Sequence, residues 1–166
     1  MPKTYEPIAT QTLGSAQASV TFSSIPSTYT DLVLIASFKP DSTIYTGYGR
    51  FNSDSGTNYS ETLLYGTGSA AGSARETTRD KMYFGNWTTP NTTSSNVINI
   101  LNIMNYSNTT TFKTVISRTS DSTTEVSAAV NLWRSTAAIT SLETFVGGAG
   151  KFVAGSTFTL YGIKAA

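Results

Sequence analysis

Val97-Ile98-Asn99-Ile100-Leu101-Asn102-Ile103-Met104-Asn105-Tyr106, then the polar Ser107-Asn108-Thr109-Thr110-Thr111 closing on Phe112, then Lys113-Thr114-Val115-Ile116-Ser117-Arg118, is the stretch that decides the fold class. Two β-branched, largely apolar runs joined by a short Asn/Ser/Thr loop predict an antiparallel hairpin across Asn96–Arg118. The first arm offers apolar residues to both faces, the pattern of a strand covered on both sides.

The flanking chain repeats the theme. Before the hairpin, Ala18–Ser23 alternates with period two, Ile25–Tyr29 forms a corner, and Asp31–Lys39 is apolar on both faces until Pro40-Asp41 stops it. Tyr48–Asn52 is a short strand, Asp54-Ser55-Gly56-Thr57-Asn58 a turn cluster, and Glu61–Tyr65 resumes strand character. Gly66–Arg79, small and polar without clear periodicity, reads as the longest loop, and Asp80–Trp87 as another strand. After the hairpin and a turn at Thr119–Ser122, Glu125–Trp133 alternates with Val126, Ala128, Val130 and Leu132 on one face. Ile139–Val146, a Gly147–Gly150 turn and Phe158–Ile163 complete the chain. Some nine or ten short strands without an amphipathic helix predict an all-β, jelly-roll-like antiparallel β-sandwich. Pro2 and Pro7 predict an extended N-terminal arm, so residues 1–17 read as arm and first strand and 18–166 as a single sandwich domain.

Composition excludes several classes of partner. Charged residues make up 13% of the chain and the net charge is +1, which argues against a nucleic-acid or polybasic membrane surface. Met1–Ile8 has no apolar core of a signal peptide, and no apolar run reaches transmembrane length, so a soluble intracellular product is expected. Roughly three residues in ten are Ser or Thr, a low-charge surface suited to work at high local density.

The chemistry is sparse. With no His and no Cys, Ser-His-Asp, Cys-His and thiolate or imidazole metal sites cannot be built. Of the ten carboxylates most lie at predicted strand ends or turns, Glu125 and Glu143 being the least ordinary, and nothing in the spacing brings a pair into a cleft. Gly66-Thr67-Gly68-Ser69-Ala70-Ala71-Gly72 lacks the spacing of a phosphate loop, and Asp54–Glu61 lacks that of a calcium loop. The chain therefore reads as non-enzymatic, with no cofactor and no metal. Among the aromatics, Trp133 beside Arg134 reads as a core tryptophan, and Trp87 as the better exposed ring.

Three segments carry a resemblance. Ala18–Leu34, with Ser19-Val20-Thr21-Phe22-Ser23-Ser24-Ile25-Pro26-Ser27-Thr28-Tyr29-Thr30-Asp31-Leu32-Val33-Leu34, together with Trp133–Ile139 and Phe152–Ile163 resemble small virion proteins of tailed bacteriophages of the cyanophage and marine-phage type. That resemblance implies a structural virion component, trimeric, bound to the capsid surface as a decoration (cement) protein. Its partners would be the major capsid protein and itself, with the arm Met1, Pro2, Lys3, Thr4, Tyr5, Glu6, Pro7 and Ile8 docking on the shell or adding a strand to a neighbour. The alternative is a tail-fibre or tailspike module binding a host glycan through Tyr48, Tyr59 and Trp87, lined by the Gly66–Arg79 loop.

Overall fold

A computed structural model describes residues 4–41, 47–85, 96–121 and 125–164. Among these residues twelve strands are present: β1 (Tyr5–Thr12), β2 (Ser19–Phe22), β3 (Asp31–Phe38), β4 (Gly47–Phe51), β5 (Tyr59–Gly66), β6 (Ala71–Arg79), β7 (Met82–Tyr83), β8 (Val97–Ile103), β9 (Lys113–Asp121), β10 (Glu125–Trp133), β11 (Leu142–Val146) and β12 (Thr157–Ile163). They form an eight-stranded sheet, ordered β1-β12-β3-β8-β9-β10-β5-β6, and a four-stranded sheet, ordered β2-β11-β4-β7. Every pairing is antiparallel. The expected all-β sandwich is present, divided unequally between its layers.

The hairpin at Asn96–Arg118 is β8 and β9, registered from Val97↔Asp121 to Ile103↔Val115. Its loop is built as the Asn residues require: Asn105 takes a positive φ of 51°, and the Asn108 side-chain oxygen accepts from the Thr110 and Thr111 amides at 2.7 and 2.8 Å. Between the layers, Leu32, Leu34, Phe38, Leu101, Ile103 and Val115 of the large sheet meet Val20, Phe22, Phe51 and Leu142 of the small one, all buried. Phe38, Phe152 and Phe158 form a ring cluster with centroids 4.8–5.9 Å apart. Trp133 is a core residue as expected: it stacks on Tyr59, packs against Phe51, and donates its indole N–H to Asp54 at 2.7 Å.

Two sequence expectations change. Gly66–Arg79 is not a long loop, because Ala71–Arg79 folds back on β5 as the edge strand β6. β6 is exposed on both faces along nearly its whole length, so it has no hydrophobic period to read. The strand expected at Asp80–Trp87 is only Met82–Tyr83 within the described residues. Within the N-terminal arm and first strand, β1 pairs with β12 from Tyr5↔Ile163 to Thr12↔Thr157, which joins residues 5–12 to the large sheet.

Candidate functional site

The outer face of the eight-stranded sheet holds the largest concentration of exposed apolar side chains, and β10 explains how it arises. β10 alternates as expected, but the face marked by Val126, Ala128 and Val130 points outward, while Glu125, Ser127, Ala129, Asn131 and Trp133 point inward. The inward polar residues have work to do. The segment Met82–Gly85 crosses the inner face of β9 and β10, carrying backbone donors and acceptors that must be satisfied away from water. Asn131 supplies both partners of Tyr83: its side-chain oxygen accepts from the Tyr83 amide at 3.1 Å, and its Nδ2 donates to the Tyr83 carbonyl at 2.9 Å. Thr119 donates to the Phe84 carbonyl at 2.8 Å. Gly85, at φ 154°, passes so close to Ser127 and Thr119 that a Cβ there would meet Thr119 at 3.1 Å. A strand has only two faces, so committing the polar set inward sends the aliphatic set outward.

The same happens on the neighbouring strands. The register runs Val130 beside Ile116, Ala128 beside Leu64 and Arg118, Arg118 beside Ile100, and Ile100 beside Ile35. Ile98 and Val126 lie one row further along. The apolar residues on both faces of β8 thus mark a strand covered on one side only, with Ile98 39% exposed. Arg118 is the charge in the middle of this face, and it donates to the Asn102 side chain at 3.3 Å. Leu64 and Val126, the most exposed at 62% and 61%, frame a shallow groove of about 390 Å³ bordered by Arg118 and Ala128.

Of the expected shell-contact residues, Met1, Pro2 and Lys3 lie outside the described residues. Tyr5 and Pro7 are exposed on β1, and Ile8 packs against the core. Glu6 is tied inward: it pairs with the Lys164 ammonium at 3.0 Å and accepts from the Tyr29 hydroxyl at 3.3 Å. Removing this segment would therefore take an edge strand from the sheet, not merely an arm.

Of the aromatics of the glycan alternative, Tyr48 and Tyr59 are not brought together. Tyr59 is wholly buried; its hydroxyl accepts from the Phe51 amide at 3.1 Å, so it cannot meet a ligand. Trp87 lies outside the described residues. Tyr48 is half-buried on the outer face of the small sheet, where it joins Tyr83 and Phe145 at centroid distances of 5.8 and 5.7 Å. A cation lies over each ring: Lys81 over Tyr48, Arg79 over Tyr83 and Arg50 over Phe145, at 5.0–5.3 Å. Asp80 ties two of them, pairing with Arg50 at 2.8 Å and Lys81 at 2.9 Å. Beside Phe145 lies an open groove of about 290 Å³, lined by Ser19, Arg50, Glu143 and Gly148. Sequence reading missed Tyr83 and Phe145 as partners of Tyr48 because only the pairing of β4 with β7 and β11 aligns them.

The carboxylates are dispersed. Glu143 lies on the outer face of the small sheet, and Glu125 faces the interior from the large one. Among the described residues no group of three His, Cys, Asp or Glu side chains converges to hold a metal ion. The most perturbed acid is Glu61, buried on the inner face of β5. Burial pushes its carboxyl up to about 7, against the opposing pull of the Arg79 guanidinium at 3.2 Å and with a further push from Glu76 opposite it on β6. That grouping braces the β5–β6 hairpin and opens onto no cleft.

No protein-family model matches the chain, and no curated protein is similar to it in sequence.

Proposed function

We propose that the chain is a structural protein of a tailed-phage particle, acting as a decoration protein that docks flat on the outer capsid surface. The observation that carries this reading is the outer face of the eight-stranded sheet: neighbouring exposed aliphatics on β3, β8, β9, β10 and β5, with Arg118 as the charge in its middle. Contiguous apolar surface of this kind marks interaction sites on folded proteins. A flat sheet face suits a broad, shallow partner such as a shell, and low charge lets many copies crowd together with little repulsion. Binding to the assembled shell and not to its loose subunits stabilises the shell by mass action. The test is the copy number per particle relative to the major capsid protein, by quantitative mass spectrometry of purified virions. Hundreds of copies in a simple ratio support decoration; a handful, in a multiple of three or six, moves the protein to the tail; absence from virions overturns the reading.

One observation favours the tail-module alternative, namely the Tyr48–Tyr83–Phe145 ladder with its ion pairs and the groove beside it. Half-buried rings beside charged hydrogen-bonding groups suit a sugar. A glycan array tests it: selective binding lost in Phe145→Ala would support this second reading.

A further inference from the structure

The two sheets present four edge strands, and these are not equally protected. A free edge is a row of unpaired N–H and C=O groups, which proteins blunt by shortness, proline, bulges, charge or a covering side chain. β7 is two residues long. β2 has four residues, and Gln11 covers it by donating to the Thr21 carbonyl at 2.8 Å. β1 carries Pro7, which has no N–H to offer, and its register breaks between Pro7 and Ala9. β6 differs. It is nine residues long without proline, and its pairing to β5 is regular from Glu76↔Glu61 to Ala71↔Gly66. Its irregularity lies at the far end, where the Arg134 guanidinium closes on the carbonyls of Thr57, Tyr59 and Thr77. Between Ala71 and Ala74 the side chains are small and uncharged. Ala71–Glu76 is thus a regular, exposed edge carrying none of the devices found on the other three.

We propose that this edge pairs with itself: two copies join β6 to β6 antiparallel about a twofold axis perpendicular to the sheet, fusing their eight-stranded sheets into one. Charge and overlap together fix the register: among the centres that oppose no like charges, Ala74 keeps the longest run of β6 paired. Such an axis keeps the faces in common, so it pairs residues that point to the same side. Centring the axis on Arg75 or Glu76 would set like charges directly opposite, which is destabilising. Centring it on Ala74 sets Arg75 against Ser73, Glu76 against Gly72 and Thr77 against Ala71 of the second copy, with no like charges opposed. The outer faces then lie on one side of the joined sheet. Leu64 and Val126, more exposed than Ile35 (40%) and Ile98 toward the other end, flank the seam and form one continuous apolar platform. Threefold closure through these edges would instead set β6 against β1 of the next copy, where Pro7 and the register break stand. This inference does not rest on the virion reading, although it sets a twofold pairing in place of the threefold one that the resemblance implies.

The chain has no cysteine, so a single introduced thiol reports only on a second copy. The experiment combines light scattering of the full chain at tens of micromolar with oxidation of single variants Ala74→Cys, Arg75→Cys and Thr10→Cys. The expected result is a mass twice the protomer's 17.7 kDa, with near-complete disulfide formation at position 74 and little at 75 or 10. Ala74→Glu, which opposes like charges across the axis while altering only an exposed side chain, should weaken the dimer at least about tenfold with an unchanged circular-dichroism spectrum. A monomer, a trimer, cross-linking through Thr10→Cys, or an Ala74→Glu dimer of undiminished affinity would overturn the proposal. Failure of the virion reading would appear separately, in the copy number.

Discussion

Val130 and Asn131 are adjacent on β10, and the structure reverses the roles that their chemistry would ordinarily give them. Val130 is 49% exposed on the outer face, whereas Asn131 is fully buried and holds both backbone groups of Tyr83. Truncating Asn131 to Ala removes both side-chain hydrogen bonds to the Tyr83 amide and carbonyl between the layers. At about 1–3 kcal/mol for each group that loses its partner, the expected cost is roughly 2–6 kcal/mol. Val130→Ala removes methyl groups that are half in water already. Full burial of a valine contributes about 1.5–3 kcal/mol, and only part of that is at stake here, so the expected cost is below about 1 kcal/mol. The assay is equilibrium urea unfolding of both variants and the parent, followed by tryptophan fluorescence, with midpoints compared at a common slope. Asn131→Ala should lose far more stability than its neighbour. Equal losses, or a larger loss from Val130→Ala, would mean that the apolar face of β10 packs inward and that the exposed platform does not exist.

Other expectations follow from single contacts. Glu61 has a folded-state pKa of about 7 against 4.5 unfolded, so the stability it contributes is fully present below pH 4.5 and is lost as pH rises through 7. That window is worth at most about 3 kcal/mol, and Glu61→Gln should flatten the fall when melting temperatures are compared from pH 4.5 to 8. Gly162→Ala should destabilise by about 1–3 kcal/mol, because the added Cβ runs into the ring of Tyr29, which is read as a lower melting temperature. Trp133→Phe deletes the indole bond to Asp54 while keeping an aromatic ring between Phe51 and Tyr59; a loss of about 1.5–3 kcal/mol in calorimetric unfolding is expected.

What could be read from the sequence was whatever a one-sided hydrophobic period or a turn residue controls. The β8–β9 hairpin, the strands at Ser19–Phe22 and Asp31–Phe38, the Asp54–Asn58 turn and the buried Trp133 were all legible in this way. At that turn the Asp54 carboxylate accepts from the Gly56 amide at 2.8 Å and from Asn58, as its spacing required. β6 was not legible because an edge strand wet on both faces has no alternation to detect. The direction of β10 was hidden for a different reason. Alternation says which residues share a face, but the need for polar groups beneath Met82–Gly85 chooses which face goes inside, and that crossing is set by tertiary structure. The same limit applied to Tyr59, whose burial follows from its pairing with Trp133 in the β5–β10 register. It applied equally to the ladder of Tyr48, Tyr83 and Phe145, which three separate strands assemble.

Docking through the outer face of the eight-stranded sheet is tested most directly by cosedimentation of the purified chain with undecorated capsid shells, comparing the parent with Leu64→Lys/Val126→Lys. Both positions are more than half exposed, so the double variant should keep the fold and its unfolding midpoint. The expected result is saturable binding of the parent and a loss of at least about tenfold in affinity for the variant, each lysine placing a charge in an apolar contact. Binding of the variant equal to that of the parent would contradict the assignment of this face as the working surface of the protein.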